Sequence, residues 1–103
     1  MVFIKDASRE IKFTAKLEND RNITIILTEV KPNIFKLKIS NNTHKPADIS
    51  VYELFLIIVE CFNTFEEVLT IDIGYYINKG ADFDLTHYLI DFTQKTMASK
   101  IFN

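Results

Sequence analysis

Disulfide chemistry is closed to this chain from within, because Cys61 is the only cysteine among 103 residues. A lone thiol with no export signature fits a reducing, cytoplasmic setting. Met1-Val2-Phe3-Ile4-Lys5 is not the basic leader, apolar core and small-residue cleavage site of a secretory signal. The glycosylation-type triplets Asn22-Ile23-Thr24 and Asn41-Asn42-Thr43 therefore carry no consequence. Long apolar runs are absent too: the longest, Leu54 to Val59, falls far short of the roughly 20 residues that span a bilayer. Only two glycines and two prolines are present, and the chain lacks the bias of a disordered or low-complexity segment.

What remains is ordinary globular composition, 48% hydrophobic and 25% charged, in a length that suits one domain and one core. Surface scaling has such a chain burying roughly 65% of its unfolded area. The net charge of -2 hides a division. Residues 1 to 50 hold nine Lys or Arg against six Asp or Glu, whereas residues 51 to 103 hold three against eight. A basic half and an acidic half can orient a charged partner.

The most informative stretch runs from Ser50 to Phe65. Ser50-Val51-Tyr52-Glu53 has the Ser-x-x-Glu form of a capping box, which starts a helix by satisfying amide donors that have no intrahelical acceptor. Val51, Leu54, Phe55, Ile58, Phe62 and Phe65 follow the spacing of one buried face, yet Leu56, Ile57 and Val59 lie off it and are equally apolar. Leu56 and Ile57, flanked by Glu53 and Glu60, occupy what should be the solvent side. Each is worth ~1.5–3 kcal/mol if buried, so a covering partner is expected: a last helix offering Ile90, Met97 and Ile101, or a second subunit.

Before that helix, alternation marks three strands. Ile11, Phe13, Ala15 and Leu17 interleave with Lys12, Thr14, Lys16 and Glu18. After a polar turn at Glu18 to Asn22, Ile23 to Val30 repeats the pattern, and beyond Lys31-Pro32-Asn33 so do Phe35, Leu37 and Ile39. Short turns make these an antiparallel meander. Asn41 to Asp48 is a polar connection, Val68 to Ile73 a fourth strand returned through the helical crossover, and Asp84 to Lys100 a final helix with Leu85, Tyr88, Leu89 and Phe92 inward. The expected class is α+β: a three-stranded antiparallel meander, helix, fourth strand and C-terminal helix, with both helices on one face of a four-stranded sheet.

Residues with chemical potential are few. Cys61 could pair with His44 or His87 as nucleophile and base, but its place in an apolar helix favours an inert core thiol. Neither histidine has further ligands at metal spacing. Two of Asp72, Asp82, Asp84 and Asp91 could pair as acid and base or hold a hard cation, but helix capping accounts for Asp82 and Asp84 and is the better supported reading. Lys12, Lys16, Lys36 and Lys38 would share the wet sheet face, where nucleic acid is not the expected ligand because no aromatic side chains accompany them to stack on bases. Of Tyr75 and Tyr76, adjacent in sequence, one should be exposed and available to a partner.

No catalytic residue, cofactor or metal is expected. The order of three strands, helix, strand and helix resembles the core of small acetyltransferases in topology, but Asn41-Asn42-Thr43-His44-Lys45-Pro46-Ala47 has no glycine where their pyrophosphate loop should lie. That resemblance would imply a minimal enzyme or small-ligand binder with a cleft near Asp72, Tyr75, Tyr76 and His87. The stronger expectation is a cytoplasmic, non-catalytic protein-interaction module of inhibitor, immunity, adaptor or chaperone type. It would be homodimeric through the 50–65 helix, with Glu53, Leu56, Ile57, Glu60, Tyr75 and Tyr76 as contact residues.

Overall fold

Alternating apolar residues pair into rows across the first three strands, and these rows set the architecture. In the computed structural model, which describes residues 9–78 and 87–102, β1 (Glu10–Lys16), β2 (Asn22–Lys31) and β3 (Ile34–Asn41) form the expected antiparallel meander. Register places Phe13 beside Ile25 and Ile25 beside Ile39, with Ile11, Leu27 and Leu37 in the next row. Those side chains share the core face, while Lys12, Ile26 and Lys38 form a row on the other. Pro32 and Asn33 make the tight turn into β3, where Asn33 adopts a left-handed φ of 65° that asparagine tolerates.

Beyond β3 the chain doubles back. The Asn41 side-chain oxygen accepts from the amides of Thr43 and Lys45, Ser40 bridges to Pro46, and the Ala47 amide donates to the Ile39 carbonyl. This return delivers Ser50 to the start of α1 (Val51–Thr64). α1 crosses the sheet and leads to β4 (Thr70–Asp72), which runs parallel to β3. The crossover is the only covalent route between such neighbours without a long loop. Leu54, Ile57, Ile58, Cys61 and Phe62 pack onto Ile25, Leu27, Leu37, Ile39, Ile71 and Ile73 in one core.

From here the expected fold is wrong. The C-terminal helix from Asp84 to Lys100 does not form among the described residues: the segment holds β5 (His87–Asp91), a turn, and β6 (Ala98–Phe102). Among the described residues the sheet has six strands in chain order, and it is mixed because only the β3–β4 pair of them is parallel. Leu85, Tyr88, Leu89 and Phe92 fit helical spacing, but Tyr88, Ile90 and Phe92 also fit strand alternation. β4 is buried and needs backbone partners on both edges, which β5 supplies opposite β3. Phe92, brought to the core side, stacks on Phe62 with ring centroids 4.9 Å apart. In the β5–β6 turn Asp91 accepts from the Thr93 amide, and Lys95 has a φ of 62°, which no helix interior contains. Asp82 and Asp84, expected as capping residues, lie outside the described residues.

Between β4 and the undescribed segment, Gly74–Asn78 makes one short helical turn, α2. The Tyr76 hydroxyl accepts the backbone N–H of Ile39, a donor on β3 beyond the end of β4. Among the described residues, no helix is long and apolar enough to cross a membrane. The result is an α+β fold with one layer of helix over one face of a single sheet.

Candidate functional surfaces

The capping box forms as expected. The Ser50 hydroxyl accepts from the Glu53 amide at 3.1 Å, and the Ser50 amide donates to the Glu53 carboxylate at 3.0 Å. Glu53 also pairs with Arg21, whose remaining donors reach the carbonyls of Asp48 at 2.9 Å and Glu18 at 3.3 Å. The Ser50 amide above all, with Arg21 adding to it, holds the Glu53 carboxyl below its ordinary value. Glu53 is thus spent on starting α1 and tying it to the β1–β2 turn, which removes it from the free contact residues. Glu60 stays exposed and accepts from the Thr64 hydroxyl at 3.2 Å.

The start of α1 fixes which side chains point outward. Ile57 is 5% exposed and packs in the core, whereas Leu56 is 52% exposed. The expected pair is split by the sheet, and Ile57 cannot meet a partner. Phe55, read from spacing as inward, is 39% exposed. Tyr52, Phe55, Leu56 and Val59 together form an outward stripe at i, i+3, i+4 and i+7. Tyr52 is the residue the sequence reading passed over. With apolar side chains on most of the helix, and Glu53, Glu60, Asn63 and Thr64 its only polar ones, periodicity alone could not say which third of the helix meets the sheet.

No helix of this chain covers that stripe among the described residues, because the segment expected to do so lies in the sheet. Ile90 is part of β5 and points into the core, and Met97 is exposed in the β5–β6 turn. Buried Cys61, on the opposite side of α1, has its thiol pushed up to about 12, first by burial and then by Glu60. An unreactive core thiol is the chemistry this environment allows.

A second cluster lies at the end of β4. Asp72 is buried; its Oδ1 accepts from the Gly74 amide at 2.9 Å and its Oδ2 lies 2.9 Å from Nδ1 of His87. The two residues, 15 apart in sequence, meet because β5 pairs beside β4 rather than coiling into a helix. Tyr75 is exposed and sets its ring edge-on to half-buried Tyr76, centroids 5.3 Å apart. Burial pushes the Tyr76 phenol up to about 12, opposed by its bond with Ile39. Asp91 stands opposite Thr70 and Asp72 opposite Leu89, so the two carboxylates are not cross-strand partners.

The rest of the surface is less specific. Lys12, Lys16, Lys36 and Lys38 are exposed on the open sheet face as expected. Among that face's described side chains no Phe or Tyr accompanies them, and Lys16 is paired with Asp20 at 3.2 Å. His44 is exposed in the β3–α1 connection. A cavity of about 460 Å³ between the β1–β2 turn and that connection is lined by Asp20, Arg21, Asn22, Asn41 and Asp48, most of whose hydrogen-bonding groups serve the turns themselves. Among the described residues, no group of three or more His, Cys, Asp or Glu could hold a metal, and no buried side-chain polar atom lacks a partner. Comparison with protein-family models, with curated proteins and with solved structures finds no match to this chain.

Proposed function

We propose that this protein is a non-catalytic interaction module that associates with protein through the outward face of α1, its own copy included. The carrying observation is the uncovered stripe of Tyr52, Phe55, Leu56 and Val59 on a helix whose inner face is already fully used by the core. Leaving such a surface in water forfeits roughly 1.5–3 kcal/mol for each side chain that a partner would bury completely. Contiguous apolar patches of a few hundred Å² are often contact sites. Inhibitor, immunity, adaptor and chaperone roles all use a small rigid domain in this way. The protonated, buried Cys61 thiol fits a reducing cytoplasm, where it would neither oxidise nor pair.

The deciding experiment is light scattering over a concentration series from micromolar upward. The wild type dimerises, and Leu56→Glu is monomeric with an unchanged circular dichroism spectrum. A wild type that stays monomeric through roughly 100 μM, far above a micromolar dissociation constant, removes self-association from the proposal.

A second reading rests on the Asp72–His87 contact. A buried carboxylate holding one imidazole nitrogen leaves the other directed outward as a proton acceptor, and exposed Tyr75 is close in sequence. This arrangement would serve a small-ligand binder or minimal enzyme. A fragment screen followed on the His87 and Tyr75 resonances should then find ligands that bind wild type and not Asp72→Asn; a screen with no hit at those resonances disposes of it.

A further inference from the structure

The open face of the sheet holds cations that nothing in the described fold answers. Lys12, Lys36 and Lys38 are exposed there, and among the described residues none of them has an ion-pair partner. Lys36 is the informative one, because register sets it directly beside Asp72 on the same face. Opposite charges so placed ordinarily pair. Asp72 instead gives one oxygen to the Gly74 amide and the other to His87, so its charge is used from the far side and Lys36 is left over.

Resting on the small-ligand reading of the Asp72–His87 contact, we infer that Lys36, Lys38 and His87 form a binding site for a small phosphate monoester. Lys38, two residues beyond Lys36, continues the same face of β3. Asp72 stands beside Leu89 in the β4–β5 register, which puts His87, two residues from Leu89, on that face as well. β3 and β5 flank β4, roughly 10 Å apart, a gap that a phosphate bridges between a long lysine side chain and an imidazole. Asp72 is the buried floor of this arrangement, and the His87 side chain is 59% exposed.

Charge selects the ligand class. A phosphate monoester titrates at about pH 6, close to an ordinary imidazole, so either partner can bring the proton that joins His87 Nε2 to a phosphate oxygen. With that proton on the ring, Asp72 and His87 cancel, and two lysine charges meet two negative charges on the ligand. A carboxylate or a phosphodiester, each a monoanion, answers only half of that. On the described strands of this face the other carboxylates are Glu10, two strands from Lys36 across Thr28, and Asp91, four residues along β5 from His87. Neither lies between the three groups.

The test is an NMR titration of the full chain at pH 7 with phenyl phosphate, at constant ionic strength so that general screening does not change. The Lys36 and Lys38 side-chain signals and the His87 ring nitrogens should shift together and saturate in the millimolar range. Replacing both lysines, Lys36→Gln with Lys38→Gln, should weaken binding at least tenfold, and His87→Gln at least threefold. Lys45→Gln, in the β3–α1 connection, should change nothing. Benzoate, singly charged, should bind at least fivefold more weakly than phenyl phosphate, and equal affinities would overturn the phosphate assignment. Unsaturating shifts at every exposed lysine, Lys45 included, would reduce the effect to general charge attraction and overturn the site. No shift at roughly 20 mM, enough to fill a millimolar site, would also overturn it; neutral fragments that still move His87 and Tyr75 would then leave the small-ligand reading standing, and their failure would remove that reading too. A phosphoserine peptide that binds tenfold tighter than phenyl phosphate would overturn the small-molecule source and transfer the site to a phosphorylated protein.

Discussion

Leu56 and Ile57 are consecutive on α1 and face opposite environments: the Ile57 side chain is sealed between helix and sheet at 5% exposure, and Leu56 stands 52% exposed on the outer side. A helix advances about 100° per residue, and the step from Leu56 to Ile57 crosses the edge between the outward stripe and the core face. What makes this pair informative is that both are aliphatic, and only one is used by the protomer.

Their substitution should separate stability from association. Ile57→Ala should destabilise the fold by about 3 kcal/mol, through lost burial and the cavity left beside Ile58 and Cys61. Leu56→Ala should stay within about 0.5 kcal/mol of the wild type. Urea unfolding of both at a concentration where the chain is monomeric checks the contrast; equal losses would show that Leu56 is packed in the protomer after all.

The capping box predicts a pH dependence. Ser50→Ala should cost about 1 kcal/mol. Glu53 has its folded value held below the ordinary 4.5, chiefly by the Ser50 amide. A lowered carboxyl stabilises the fold at pH values above its unfolded value, and that contribution disappears as the pH falls through the folded one. Urea midpoints at pH 7 and pH 3 should therefore differ more for the wild type than for Glu53→Gln, whose side chain does not titrate. Identical differences would mean that the Glu53 contacts are absent in solution.

Tyr76 should behave as a structural phenol. Its hydroxyl is the acceptor for the Ile39 N–H past the end of β4, and Tyr76→Phe should cost roughly 1–2 kcal/mol by leaving that amide unpaired. The difference between wild-type and Tyr76→Phe ultraviolet titrations should place this phenol's ionisation near 12, where burial pushes it. Ionisation near 10, the ordinary value, would show the ring to be solvated.

His87 and His44 should differ in tautomer. With the Asp72 carboxylate as its acceptor, the neutral His87 ring carries its proton on Nδ1. Nitrogen-15 shifts of the neutral side chains should show the Nδ1–H form for His87, and Asp72→Asn should abolish that preference. The same substitution should cost about 1–3 kcal/mol, because the Gly74 amide loses a charged acceptor. An Nε2–H form at His87 in the wild type would break the dyad.

The sequence by itself determined the meander and the helix start. Ile11 to Leu17, Ile23 to Leu27 and Phe35 to Ile39 alternate without competing periodicity, and Ser50 with Glu53 fixes a helix terminus through bonds four residues can make alone. Local interactions were enough there. Two matters were left to the tertiary structure: which part of an almost wholly apolar helix meets the sheet, and whether Tyr88 to Phe92 coils or extends. In both cases local spacing was compatible with more than one answer, and the choice fell to distant partners. Ile57 is inward because the sheet lies on that side, and His87 to Asp91 is a strand because buried β4 has a second edge to satisfy. The Asp72–His87 contact follows from that pairing: the cleft expected near Asp72, Tyr75, Tyr76 and His87 placed His87 on a helix, and it is a strand beside β4 that brings the two side chains together.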